Sequence, residues 1–160
     1  MSTLGKAIQI AATAFKDDLD KGGTPYIMHL LYVMYKVKHL GETAMICAIL
    51  HDLVEDKSEI GYHMVYLEKA GFNSEIRYIL DLLDHKPSMS YMDYIRLLAS
   101  NPIAKAIKLA DLEHNSKITR LKGLRKKLLQ KCISEELVNK HNSFLFFFYL
   151  IIIKQFYDSY

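Results

Sequence analysis

Apolar positions recur at three- and four-residue spacing through most of this chain, and strand-like alternation is scarce. That period predicts helices almost throughout and an all-α fold. The breakers are few: Gly22-Gly23, Pro25, Gly41, Gly61, Gly71, Pro87, Pro102 and Gly123. Between them the pattern predicts a first helix over residues 4–19. A second is expected over 25–38, opened by Thr24 as N-cap with Pro25 at the first helical position. Beyond Gly41 a third runs into the polar cluster at His51, and a short helix over 60–70 is closed by Gly71. Asn73 or Ser74 caps a helix ending near residue 83. Ser90 opens another to residue 99, with Asp93 at the capping-box position. Asn101-Pro102 repeats the cap-then-proline device.

Two of these helices share a design. The run 43–50 is almost wholly apolar and leads directly into His51-Asp52-Leu53-Val54-Glu55-Asp56. The run 103–110 likewise delivers Asp111, Glu113, His114 and Asn115 at its end. At 3.6 residues per turn His51 and Glu55 are four apart, Asp52 and Glu55 three apart, and Asp52 and Asp56 four apart, so all four can face one cavity. Three carboxylates this close repel one another unless a cation or a proton intervenes. A divalent metal accounts for the cluster.

Composition narrows the picture. A chain of 160 residues, 51% hydrophobic, is long enough for one domain with a sizeable core. We expect the main domain over residues 1–130 and a C-terminal tail over 131–160 that is helical or an atypical apolar segment. Cys47 and Cys132 lack any metal-finger spacing and indicate a reducing compartment. The N-terminus does not have the form of a secretion signal, so a cytoplasmic protein is expected. The net charge is +3, with Lys117, Arg120, Lys122, Arg125, Lys126, Lys127 and Lys131 crowded together. A solvated helical face explains that stretch better than a nucleic-acid surface. The apolar run 144–153 is half the roughly 20 residues that a membrane span needs, so no span is expected. It reads as a last core helix, an oligomer contact, or a frame-altered or recently acquired terminus whose composition departs from the rest.

A metal pocket needs ligands from more than one segment, and Pro25-Tyr26-Ile27-Met28-His29 supplies a histidine in a structured setting. Taken singly, His29 is an ordinary helix histidine and Asp111 an ordinary polar group. With His51 and Asp52 they form a mixed nitrogen and oxygen set suited to an octahedral divalent ion such as manganese, whereas zinc prefers fewer ligands and often sulfur. His39, His63, His85 and His141 lack acidic company at helical spacing and read as surface groups. The tyrosines are spread over separate helices, so core roles come first.

Three ordered blocks carry a resemblance: residues 21–29 (KGGTPYIMH), 48–56 (AILHDLVED) and 108–115 (KLADLEHN). In these the chain resembles the HD-domain metal phosphohydrolases, and within them the RelA/SpoT-like and small alarmone hydrolases. The resemblance covers about residues 8–124 and implies a compact multi-helix bundle. By position it makes His29, His51, Asp52 and Asp111 the ligands of a metal such as Mn2+. Glu55 and Asp56 match the acidic pair that orients or deprotonates the attacking water, while Asn115 and Lys21 match substrate-contacting residues. The activity implied is removal of pyrophosphate from the 3′ position of ppGpp or a relative. Two positions depart from the pattern. Leu30 follows His29 where the family has proline, and Asp20 stands where the long alarmone hydrolases carry an arginine packed on guanine. Asp20 favours a second expectation, an HD-domain phosphatase of another nucleotide. A third is a non-catalytic nucleotide-binding module.

Overall fold

A computed structural model describes residues 3–20, 23–86 and 88–117. Lys21, the stretch from residue 118 with its basic residues, and the apolar run 144–153 lie outside them. Among the described residues the structure is all helical, apart from an isolated bridge between Leu19 and Pro25. The helices are α1 (Leu4–Ala14), α2 (Ile27–Lys36), α3 (Glu42–Ile49), α4 (Leu53–Lys57), α5 (Met64–Lys69), α6 (Ser74–Leu83), α7 (Tyr91–Ala99) and α8 (Pro102–Lys117). Single 3-10 turns, Lys38–Leu40 and Ser58–Ile60, lie before α3 and after α4. The first compact unit is Met1–Asp111, and residues from Leu112 onward belong to a second.

The first unit is organised around α3, which packs against α1, α2 and α6. Nearly every α3 side chain is apolar, so Ala44, Ile46, Cys47, Ala48 and Ile49 are buried all round it. A helix hydrophobic on every face belongs in the middle of a core. Its neighbours are amphipathic: α1 buries Ala7, Ile10, Ala11 and Ala14, and α6 buries Ile76, Ile79, Leu80, Leu82 and Leu83. On α8 the buried positions are Ala104, Ile107, Ala110 and Asp111. A carboxylate thus occupies a core-facing position of that helix. On α2 a histidine does the same, His29 being buried with Leu30 and Val33.

The later caps fall where the sequence placed them. Asn73 accepts from Ile76 N–H at 2.9 Å, Ser90 accepts from Asp93 N–H at 3.2 Å, and Asn101 accepts from the amides of Ile103 and Ala104. Gly71 terminates α5 with a positive φ of 88°, which glycine adopts at little cost.

Three expectations differ. First, α1 stops at Ala14 rather than residue 19, because the Phe15 ring is buried against Tyr26 at 5.2 Å and the chain turns there. Second, Thr24 and Pro25 do not open α2. The Thr24 amide is held by Asp20 Oδ1 at 2.8 Å, Pro25 bridges Leu19, and regular helix begins at Ile27. Third, the hexapeptide is not one helix. Regular helix is interrupted by a turn at residues 50–52, with Leu53 N–H bonded to Leu50 O at 3.0 Å, before α4 begins.

Candidate metal centre

The break after α3 positions the hexapeptide. Leu50 and Leu53 are fully buried on either side of it, and burying two such side chains contributes roughly 1.5–3 kcal/mol each. The short turn between these anchors has little freedom. His51 within it is buried, Asp52 is half-buried, and Glu55 and Asp56 emerge exposed on α4.

His51 is oriented by its own backbone. Its Nδ1 lies 2.7 Å from the carbonyl oxygen of Ala48. A carbonyl can only accept, so Nδ1 carries the hydrogen and the neutral ring presents the Nε2 lone pair inward. That atom lies 3.0 Å from Asp52 Oδ2 and 3.9 Å from Asp111 Oδ1. It is buried without a hydrogen-bond partner. His29 enters from α2, its Nε2 at 3.6 Å from Asp52 Oδ2 and 3.4 Å from Asp111 Oδ1. Donor atoms of His29, His51 and Asp111 all lie within 4.8 Å of one another. Lone pairs aimed at a common centre repel unless something positive lies between them. A divalent ion fits this donor set.

Without an ion, protons must do that work. Burial opposes charge on His51, but Asp52 and Asp111 outweigh it and hold the imidazolium up to about 10. On His29 burial is likewise overcome by the neighbouring carboxylates of Asp111 and Asp52, and the pKa is raised. Burial would raise Asp52 and Asp111, yet the histidines hold both well below the usual carboxylate range, with Lys108 assisting at Asp111. Glu55 and Asp56 behave oppositely. Partial loss of hydration pushes both up, and the negative charge of Asp52 adds to it.

The surroundings contain residues that the sequence did not single out. Tyr26 donates from its hydroxyl to Asp52 Oδ2 at 2.6 Å, and its ring lies 5.3 Å from that of His29. Its place directly after Pro25 in the block leading to His29 was the available signal. Lys108 donates to Asp111 Oδ2 at 3.0 Å from one turn earlier on α8. His85 is half-buried between the rings of Tyr91 and Tyr94 rather than a plain surface group. Asn115 lies beyond Asp111 on α8, in the second unit.

Comparison with known proteins bears on the fold that carries these residues. No family model matches the chain. A solved structure of a metazoan ortholog of SpoT, described as hydrolysing ppGpp and having a role in starvation responses, matches with a TM-score of 0.67. The match is 22% identical and covers 99% of this chain and 96% of that one. The chain has the helical HD-domain fold. The "Probable GTP pyrophosphokinase" of Mycobacterium leprae (strain TN) is 29% identical over 131 residues. That match takes in 75% of this chain but only 16% of the relative's length. In sequence and in fold, then, the HD-domain resemblance to RelA/SpoT-like proteins holds.

Proposed function

We propose that this chain is a divalent-metal phosphohydrolase that removes pyrophosphate from the 3′ position of ppGpp or a closely related alarmone. The observation that carries it is the convergence of His29, His51 and Asp111, from separate segments, on one buried point. The HD-domain fold shared with a ppGpp-hydrolysing SpoT ortholog adds the substrate class. His29, His51, Asp52 and Asp111 would hold the ion, with Mn2+ the expected metal. Bound there, it would supply Lewis acidity toward a phosphoryl oxygen and acidify water at neutral pH.

The other residues divide the remaining work. Glu55 and Asp56 orient and deprotonate the attacking water, and their raised pKa values make them better bases than ordinary surface carboxylates. Tyr26 fixes Asp52 by its hydrogen bond. Asn115 and Lys21 are assigned to the substrate by their positions in the motif blocks. The reducing, cytoplasmic setting of nucleotide metabolism suits the free buried Cys47.

One observation favours a second substrate. The Asp20 carboxylate accepts the Thr24 amide and closes its own loop, so this position offers no cation to stack on guanine. Another nucleotide phosphate is the alternative. Incubation with Mn2+ and a nucleotide panel separates the two: pyrophosphate released from ppGpp supports the first, orthophosphate from other nucleotides the second. If nothing turns over, or if His51→Ala and Asp52→Ala leave turnover unchanged, both fail.

A further inference from the structure

We propose that Lys108 is a positioning residue that sets how Asp111 meets the metal, and thereby the affinity of the site. This rests on the metal-centre reading above. Asp111 turns its two oxygens to different partners: Oδ1 lies 3.4 Å and 3.9 Å from the Nε2 atoms of His29 and His51, while Oδ2 accepts from Lys108 Nζ at 3.0 Å. A carboxylate with both oxygens free can bind a cation through one or both. The ammonium occupies the second oxygen and leaves the first to face the histidines.

Helix stability does not explain the pair. A cation placed before its carboxylate along a helix is the less favourable order for such pairs. Here the side chains are only 20% and 6% exposed, so both ions are also largely desolvated. Taking two charges out of water is not recovered by one contact unless further interactions complete it. The centre formed by His29, His51 and Asp52 supplies those interactions for Asp111, and Lys108 is coupled to it through that carboxylate.

The test is a Mn2+ titration of the EDTA-stripped full chain, following the electron paramagnetic resonance of free and bound ion. Lys108→Met removes the donor while keeping length, and about a 10- to 100-fold loss of Mn2+ affinity is expected, the range typical of lost outer partners. Lys108→Arg, which can still donate to Oδ2, should stay within about threefold of the parent protein and keep its bound-ion spectrum, whereas the Met variant's spectrum should change. Equal affinity and spectrum in the Met variant overturn the proposal. So does an Arg variant as weak as the Met one. If the Met variant does not fold, Lys108→Gln is judged by the Met criteria. If the parent chain takes up no Mn2+, the metal-centre reading itself falls, whereas binding by the parent with no loss in the variants defeats Lys108 alone.

Discussion

His51 shows how one backbone contact sets a chemical state. Its Nδ1 is committed to the Ala48 carbonyl, so only Nε2 can take up a proton or a metal among Asp52 and Asp111. In the metal-free protein the folded pKa, about 10, lies above the ordinary value of 6.5, and His29 is shifted the same way. The stabilisation from the protonated rings is therefore fully present below about pH 6.5 and lost as pH rises through about 10. Melting in EDTA should show the transition temperature falling across that window, and saturating Mn2+ should remove the fall, since metal affinity rises as protons leave. A metal-free melting temperature that is flat from pH 6.5 to 10 would contradict the assignment. The exposed pair makes a different prediction. Glu55→Gln and Asp56→Asn should each lower kcat by about 10²–10⁴-fold with Mn2+ affinity nearly unchanged, measured by turnover and metal titration in parallel. In the sequence the hexapeptide stands out because four ionisable groups directly follow an apolar run, whereas His29 and Asp111 are ordinary singly and gain meaning only beside His51, with which the structure brings them together. Tyr26 was not readable there, since its partner Asp52 lies 26 positions away and only the fold joins them. Lys108 was readable in principle, being one turn before Asp111 on a helix correctly expected there.

At the scale of elements, the cap at Asn101 bears on the site because α8 carries Asp111. Its Oδ1 accepts two amides, from Ile103 at 2.9 Å and Ala104 at 3.0 Å. Asn101→Ala should cost about 1–2 kcal/mol, seen as a few degrees in the melting temperature, because two helix-terminal donors lose their partner. Mn2+ affinity should change little, as Asp111 lies more than two turns further along. Such caps were legible in the sequence because each is a local contact of a side chain with an amide two or three residues on. The break between α3 and α4 was not. Every residue from 50 to 56 is compatible with helix, yet the chain turns at 50–52, between Leu50 and Leu53, both buried in the core. The hexapeptide therefore does not present its four ionisable groups at the i, i+4 spacing of one continuous helix. His51 and Asp52 face inward from a turn, while Glu55 and Asp56 project from the following helix. The entry to α2 failed for a related reason, since Asp20 captures the Thr24 amide and leaves Thr24 outside the helix.

Across the first unit, the metal centre joins α2, the α3–α4 turn and α8, which the sequence separates by many residues. A ligand held by segments so far apart binds the folded state and has no preformed site in the unfolded chain. Its binding free energy is then added to global stability, about 2.7 kcal/mol at a free-ion concentration one hundred times the Kd. For a chain of this size that corresponds to roughly 5–10 °C in melting temperature, by scaling from the usual unfolding entropy. Asp111→Asn should abolish most of the Mn2+-dependent increment, because the buried set loses one of its charged donors and Lys108 loses its ion-pair partner. The metal-free melting temperature of the variant should also fall, since protonated His29 and His51 lose a counter-charge. The two effects separate in one experiment, melts with EDTA and with Mn2+ for parent and variant. A parent whose melting temperature is indifferent to Mn2+ would mean that His29, His51 and Asp111 converge for structural reasons alone, with the protonated histidines and Lys108 supplying the positive charge that the cluster requires.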